Sequence, residues 1–293
     1  MTVFKGSGVA IVTPFNEDGT INYDLLGELI EFQVANNTDA IIATGTTGES
    51  ATLDDGEQLS LIEYTVKKVN GRIPVVAGTG SNNTRHGIHL SVQACKLGPD
   101  ALLMVTPYYN KTSQNGLIEH FTAIAEAVDK PIILYNVPSR TQVNLLAETV
   151  YELSKIDNIV GLKDATGNLS YTAEVIRLCG PDFAVYSGND DVIVALLSLG
   201  GVGVISVLAN ILPQETHDLV DLYLQGKVKE SAAIQLKYKP LIDALFVEAN
   251  PIPVKRALKL MGYKVEPLRL PLTYASDETS NLLENIMREG KLI

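Results

Sequence analysis

Short apolar segments alternate with longer amphipathic segments along almost the whole chain, and this alternation is the feature that most restricts the fold. Eight segments have the continuous apolar character of strands that are covered on both faces, as in a parallel sheet. Their starts are roughly 18 to 33 residues apart, which is the length of one strand, one helix and two loops. The predicted strands are 9–15, 40–44, 73–78, 101–106, 131–136, 159–164, 184–187 and 202–207.

Eight β/α units without an obvious linker predict an α/β protein with a (β/α)8 TIM barrel over residues 1–212. An open, doubly wound sheet is the alternative, because βαβ alternation alone does not distinguish an open sheet from a closed one. The number of units favours closure. Residues 213–293 are predicted to form a C-terminal helical region packed on the barrel, with breaks at 250–253 and 267–271. Helix N-caps are predicted at Asp54 and Ser113.

The composition is that of a globular protein, and its charge restricts the partners. The 293 residues are 46% hydrophobic, and 34 acidic side chains against 23 Lys and Arg give a formal net charge of −11. Nucleic acid and anionic membranes require clustered positive charge, so neither is expected as the main partner. Cys95 and Cys179 lie far apart without a Cys-x-x-Cys motif, and the N-terminus does not resemble a signal peptide. These features predict a cytoplasmic protein.

One segment, 192–212, has no charged residue and is long enough to span a bilayer. Gly200-Gly201 interrupts its middle, and no Lys or Arg lies close to either end. A buried helix that turns through these glycines into a buried strand explains the same residues. We therefore expect no transmembrane span.

A barrel places its active site at the carboxyl ends of its strands, and Lys163 is the most informative residue there. It ends an otherwise apolar strand, so β alternation can direct its side chain into the barrel mouth. Burial there is expected to lower the pKa of the ammonium group and to give an amine that forms a Schiff base with a carbonyl. The alternative is a structural lysine paired with a carboxylate such as that of Asp164. Position alone does not separate these interpretations, and the lack of another nucleophile motif favours imine chemistry.

Tyrosines end two further strands. Tyr135 and the pair Tyr108-Tyr109 can bring phenol groups to Lys163 for proton transfer, connected through a hydroxyl such as that of Thr46. The alternative for each tyrosine is packing with a solvated hydroxyl, which is the commoner role of a strand tyrosine.

Two features are suited to binding a carboxylate. The turn 45–48, Gly-Thr-Thr-Gly, offers backbone N–H groups and two hydroxyls. Arg140 follows a strand end, where its planar guanidinium suits bidentate recognition, although a surface salt bridge is the alternative. The four histidines lie in predicted helices without a His-Glu-x-x-His frame, so no metal site is predicted.

Four motifs together resemble the dihydrodipicolinate synthase family of Schiff-base aldolases and lyases. They are Gly-Thr-Thr-Gly-Glu-Ser at 45–50, Thr-Pro-Tyr-Tyr-Asn-Lys at 106–111, Tyr-Asn-Val-Pro-Ser-Arg-Thr at 135–141 and Gly-Leu-Lys-Asp-Ala at 161–165. The likeness runs in order from Gly-Val-Ala-Ile-Val-Thr-Pro-Phe near the N-terminus to Asn-Pro-Ile-Pro-Val-Lys in the tail, so it covers nearly the whole chain.

The resemblance implies a barrel that condenses pyruvate with L-aspartate 4-semialdehyde on the route to diaminopimelate and lysine, without a metal or an organic cofactor. It implies that Lys163 forms an imine with pyruvate and that Tyr135 relays protons. Thr46 would connect Tyr135 to Tyr109, which in this family reaches across from a neighbouring subunit. The active form is then a homo-oligomer, at least a dimer, and family members are commonly tetramers.

The resemblance also implies the residues that bind substrate. Thr47 and the adjacent N–H groups would hold the pyruvate carboxylate, Arg140 would recognise the carboxylate of the semialdehyde, and the backbone of Gly188 and Ile205 would lie near the imine. N-acetylneuraminate lyases and keto-deoxy-sugar acid aldolases use the same lysine chemistry and are the alternative. A barrel that only binds ligands is a second alternative. Arg140 and the Thr46-Thr47 pair favour the synthase.

One departure from the family concerns feedback. Members that lysine inhibits bind it at a dimer interface, where Ser50, Ala51, Asn82 and Tyr108 match. However, Asp55 and Gln58 stand where histidines often occur, and His86 stands where a glutamate holds the ammonium group of the effector. Without that carboxylate the bound cation lacks its counter-charge, so we expect weak or absent inhibition by lysine.

Overall fold

The computed structural model describes residues 2–293, and its centre is a closed barrel of eight parallel strands. Each strand pairs with the next one along the chain, and the first strand pairs with the eighth. The predicted barrel is therefore confirmed, and the open sheet is excluded. The strands are Gly6–Ala10 (β1), Ala40–Ala43 (β2), Val75–Gly78 (β3), Ala101–Val105 (β4), Ile132–Asn136 (β5), Ile159–Asp164 (β6), Ala184–Ser187 (β7) and Gly203–Ser206 (β8).

Helices follow the strands and continue into the C-terminal region. The predicted N-caps are confirmed, since Asp54 forms a capping box with Glu57 and the Ser113 hydroxyl accepts from the N–H of Gly116. The helices are Tyr23–Ala35 (α1), Asp55–Val69 (α2), Thr84–Cys95 (α3), Gln114–Glu126 (α4), Pro138–Thr141 (α5), Ala147–Leu153 (α6), Leu169–Cys179 (α7), Ile193–Ser198 (α8), Pro213–Leu224 (α9), Val228–Ala244 (α10), Ile252–Leu260 (α11) and Asp277–Glu289 (α12).

The first strand differs most from its predicted bounds. The apolar segment 9–15 predicts a strand, whereas β1 begins at Gly6 and ends at Ala10. Its first residues, Gly-Ser-Gly, have low strand propensity, so the apolar pattern does not reveal them. Small residues are needed there because a Cβ atom on Gly8 would lie 2.7 Å from the side chains of both Phe4 and Ile42.

The barrel closes where β1 meets β8. Gly6 pairs with Gly203, and a Cβ atom on Gly203 would lie 2.1 Å from the carbonyl oxygen of Gly6, so the close approach of the two strands requires glycine. Inside the barrel, Tyr186 is fully buried, stacks on Phe4 and donates from its hydroxyl to the Phe4 carbonyl at 2.7 Å. This packing joins the segment before β1 to the interior of the barrel.

The uncharged segment 192–212 folds as predicted. Helix α8 leads through Gly200 and Gly201 into β8, and the apolar residues of both elements are largely buried. Within residues 2–293, no helix has both the length and the apolar character that crossing a membrane requires.

The C-terminal region packs against the barrel and reaches its mouth. Helix α9 packs on β1, and helix α12 packs on both α10 and α11. Val254 and Leu258 of α11 belong to the same buried cluster as Val12 and Phe15, which follow β1. This shared core holds the segment around Asn250 beside the carboxyl ends of the strands.

Candidate active site

Lys163 lies on β6 inside the mouth of the barrel. It is in register with Tyr135 on β5 and Tyr186 on β7, both of which belong to the inner core of the barrel. The lysine side chain is 6% exposed, and its Nζ lies 4.3 Å from the centroid of the Tyr135 ring. The strand therefore places an amine and a phenol next to each other, away from bulk water.

Asp164, the next residue, points to the opposite side of β6. Its carboxylate accepts from the hydroxyl of Thr166 at 2.7 Å and from the hydroxyl of Thr172 at 2.6 Å. It forms no ion pair with Lys163. The interpretation of Lys163 as a structural partner of Asp164 is therefore wrong, because strand alternation separates the two side chains.

A cavity of about 340 Å³ opens beside Tyr135. Its wall includes three of the predicted site residues, Thr46, Tyr135 and Arg140. The C-terminal region contributes Asn250, Pro251, Pro271 and Leu272. The pocket is thus formed by the strand ends on one side and by the tail on the other.

The residues on either side of the turn 45–48 have strained backbone conformations. Thr44 has φ 53° and Glu49 has φ 56°, in the left-handed region that a β-branched residue such as threonine rarely occupies. The hydroxyl of Thr44 donates to the carbonyl of Gly78 at 3.0 Å and helps to hold this conformation. Within residues 2–293, the main-chain N–H groups of Thr46 and Thr47 donate to no other group. Two unpartnered N–H groups in one turn are suited to bind an anion.

Arg140 lies at the rim of the cavity. One of its terminal nitrogens donates to the main-chain carbonyl of Asn250 at 3.0 Å. Its guanidinium has no carboxylate within 4.0 Å in residues 2–293, so the surface salt bridge is excluded as its role. Its remaining donors are available to an anionic ligand.

The other predicted residues do not line the cavity, and Lys163 adjoins it only through Tyr135. Thr47 is buried and accepts from the Asn250 side chain at 2.9 Å. Ile205 is fully buried on β8, and Gly188 follows β7 with its N–H donating to the carbonyl of Asp164 at 2.7 Å. Tyr109 is 92% exposed, with φ 70°, and is absent from the lining of the cavity that Tyr135 borders.

A buried ion pair behind the turn is a feature that the sequence did not reveal. Lys255 of α11 contacts Glu49 at 2.5 Å, and both side chains are fully buried. Lys255 also lies over the ring of Phe15, and burial lowers the pKa of its ammonium group. Because Glu49 lies two residues after Thr47, the pair ties the C-terminal region to the turn of the site.

Arg269 forms a second link between the tail and this turn. Its backbone N–H donates to Glu49 at 3.1 Å, and its guanidinium binds the Glu57 carboxylate in a bidentate manner and the carbonyl of Thr52 at 2.9 Å. The hydrogen bonds from Arg269 lower the pKa of Glu57. The sequence showed this region only as helix breaks, since charged residues are usually solvated and nothing in the pattern marks them as buried.

The chain is similar to proteins of one family along its whole length. The family model described as "Dihydrodipicolinate synthetase family" matches residues 3–289. A protein of Thermoanaerobacter pseudethanolicus named 4-hydroxy-tetrahydrodipicolinate synthase is 55% identical over 294 residues, covering 100% of this chain and 99% of the relative.

Two solved structures have nearly the same backbone. The dihydrodipicolinate synthase of Aquifex aeolicus superposes with a TM-score of 0.97 at 44% identity, covering 99% of each chain. The enzyme from Cyanidioschyzon merolae, solved with lysine bound, superposes with a TM-score of 0.97 at 42% identity, covering 100% of each chain.

We predict that Lys255→Met strongly destabilises the fold, because it leaves the Glu49 carboxylate buried without a counter-charge. The expected loss in the free energy of unfolding is about 3–5 kcal/mol, measured by urea titration. The matched control is Lys239→Met, which removes an exposed helix pair with Asp243 at 2.6 Å and should cost about 0–1 kcal/mol. An equal loss of unfolding free energy in both variants would show that the buried pair contributes no more to stability than an exposed one.

Proposed function

The chain belongs to the dihydrodipicolinate synthetase family, and on that premise we propose how its residues perform the reaction. It is a lyase that condenses pyruvate with L-aspartate 4-semialdehyde to give 4-hydroxy-tetrahydrodipicolinate, in the biosynthesis of diaminopimelate and lysine. The observation that carries the mechanism is the position of Lys163, which is buried in the barrel mouth beside Tyr135 and has no carboxylate partner.

In the proposed mechanism, the amine of Lys163 attacks the keto carbon of pyruvate, and loss of water gives an imine. Loss of a proton from the methyl group converts the imine to an enamine, whose carbon attacks the aldehyde of the second substrate. The amino group of that substrate then attacks the imine carbon, closes the ring and displaces Lys163. This sequence requires neither a metal nor an organic cofactor.

The proposed roles of the neighbouring residues follow from their positions. Tyr135 contacts the amine and is suited to carry protons to and from the imine, and Thr46 shares the same cavity. The free N–H groups of Thr46 and Thr47 are suited to hold the pyruvate carboxylate. Arg140, at the rim, is suited to receive the carboxylate of the semialdehyde as it enters.

The backbone of two further residues is proposed to lie near the imine. Gly188 follows β7 and Ile205 lies on β8, the two strands that come after the one bearing Lys163. A side chain at Gly188 is excluded because its Cβ would lie 2.6 Å from Ala165. The close approach of Gly188 to Ala165 therefore requires glycine at this position.

Tyr109 supports the proposal that the active form is at least a dimer. A tyrosine that is 92% exposed and does not line the cavity of its own chain leaves a large aromatic surface in water. In a symmetric dimer, the two copies can exchange this residue so that each site receives the phenol of its partner. A tetramer of two such dimers is the larger assembly that we expect.

The cellular location also remains a prediction. Cys95 and Cys179 are both free and half-buried, which agrees with a reducing compartment. We infer a cytoplasmic enzyme.

We predict that Lys163→Ala removes the reaction while leaving the fold intact. Pyruvate with borohydride should trap a covalent adduct on the wild-type chain and none on the variant, as read by intact-protein mass. In a coupled assay, the wild type should turn over pyruvate with L-aspartate 4-semialdehyde and should not cleave N-acetylneuraminate. Full activity of Lys163→Ala would refute its role as the nucleophile, and preferential cleavage of N-acetylneuraminate would favour the alternative reaction.

Exchange of Tyr109 predicts complementation between two inactive variants. Tyr109→Phe and Lys163→Ala are each expected to have little activity alone. When they are mixed and reassembled, each heterodimer contains one site with both residues, and about a quarter of wild-type activity should return. Mixing Tyr135→Phe with Lys163→Ala is the control, because both residues belong to the same site. Tyr109 acts within its own chain if the first mixture stays as inactive as the control.

Weak inhibition by lysine stays a prediction, and the structure shows how the substituted residues interact. His86 and Asp55 pair with each other, with Nε2 2.8 Å from the Asp55 carboxylate, and the second ring nitrogen of His86 contacts the Ser81 hydroxyl. Asp55 is thus engaged by a ring that itself bears positive charge when protonated. Initial rates should be nearly unchanged at millimolar lysine, and strong inhibition below millimolar concentration would contradict the expectation.

A further inference from the structure

We propose that Asn250 is a positioning residue that orients the hydroxyl of Thr47 toward the pyruvate carboxylate. This inference rests on the proposed function and adds a residue of the C-terminal region to the substrate site. Asn250 lines the cavity, and its side chain is 6% exposed. Its Nδ2 donates to Thr47 Oγ1 at 2.9 Å, across 203 positions of sequence.

The direction of this hydrogen bond determines what Thr47 can offer to a ligand. A hydroxyl has one proton to donate, whereas a carboxylate only accepts hydrogen bonds. Because Thr47 Oγ1 accepts from Asn250, its own proton is free, and within residues 2–293 it donates to no other group. Asn250 therefore leaves the Thr47 hydroxyl free to act as a hydrogen-bond donor, which is the role that binding an anion requires.

Packing alone does not account for an amide at this position. The Oδ1 of Asn250 is buried and has no hydrogen-bond partner in residues 2–293, so the side chain carries an unsatisfied acceptor. Its only polar side-chain contact is the one to Thr47. A buried amide that makes a single polar contact, and leaves its oxygen unpartnered, points to a function of that contact.

Asn250 also contacts the second predicted carboxylate-binding residue, but through its main chain. Its carbonyl oxygen accepts from a terminal nitrogen of Arg140 at 3.0 Å. Substitution of the side chain at 250 removes the contact to Thr47 and keeps the one to Arg140. Substitutions at this single residue can therefore distinguish an effect on pyruvate binding from an effect on binding of the semialdehyde.

The surrounding structure holds Asn250 against Thr47. Helix α11 begins two residues later, and the N–H of Lys255 donates to the carbonyl of Pro251 at 3.0 Å. The Lys255 side chain is paired with Glu49, two residues after Thr47. The buried ion pair thus fixes both partners of the Asn250–Thr47 contact.

The test compares Asn250→Asp with Asn250→Ala. An aspartate accepts the Thr47 proton and takes away its only donor, so KM for pyruvate should rise about tenfold or more, and by less in the alanine variant. KM for the semialdehyde and kcat at saturating pyruvate should stay within about twofold, because the contact to Arg140 is kept. Asn158→Asp, at an amide far from the mouth that donates to the carbonyls of Ala125 and Val128, is the matched control and should leave both KM values unchanged.

A double variant separates the hydroxyl from the added charge. In a Thr47→Val background, Asn250→Asp should raise KM for pyruvate no further, whereas a purely electrostatic effect would persist. Persistence in that background overturns the proposal, and so does a wild-type KM for pyruvate in Asn250→Asp. If Asn250→Asp does not fold, the test uses Asn250→Ala alone. A rise in KM for pyruvate only supports the proposal, and an equal change in KM for both substrates indicates only a structural role. A wild-type chain that neither traps pyruvate nor condenses it would instead overturn the proposed function.

Discussion

Closure of the parallel sheet is the constraint on which the rest of the structure depends. In a parallel sheet all strands end at the same edge, and closure between β1 and β8 converts that edge into a ring. Residues from distant parts of the sequence, such as Thr46, Tyr135 and Lys163, then meet at one opening. The closure in turn depends on the contact between Gly6 and Gly203, where no side chain fits. The path of the backbone alone therefore brings the residues of the site together, whatever contacts their side chains then make.

The second requirement is a wall on the open side of the ring, and the C-terminal region supplies it. The tail is held by charge rather than by apolar packing alone, through the buried pair of Lys255 with Glu49 and the bidentate pair of Arg269 with Glu57. Buried charges are costly unless they are paired, so such a network tolerates little displacement. That rigidity suits a turn whose backbone is strained at both Thr44 and Glu49, because strain persists only where the surroundings determine the conformation.

The barrel could be predicted from the sequence because its signal is repeated eight times and depends on apolar pattern. The position of Lys163 could be predicted for a similar reason, since strand alternation decides which of two adjacent charged residues, Lys163 or Asp164, points inward. The bounds predicted for β1 were wrong because Gly6 and Gly8 have low strand propensity. Glycine is needed at these positions because the fold leaves no space for a side chain. Asn250 and Lys255 could not be given a role, because their partners Thr47 and Glu49 lie some 200 positions earlier and only the folded chain brings them together.

The distribution of exposure around the site links catalysis to assembly. Lys163 and Tyr135 are almost fully buried in one chain, whereas Tyr109, which the family resemblance places in the same proton relay, lies in solvent. Proton transfer over hydrogen-bonded groups requires contact, so an exposed phenol cannot serve the buried amine of its own chain. If the relay includes Tyr109, each chain supplies the lysine and Tyr135 of its own site, and its partner supplies the further phenol of the relay. Association would then be a condition of the chemistry.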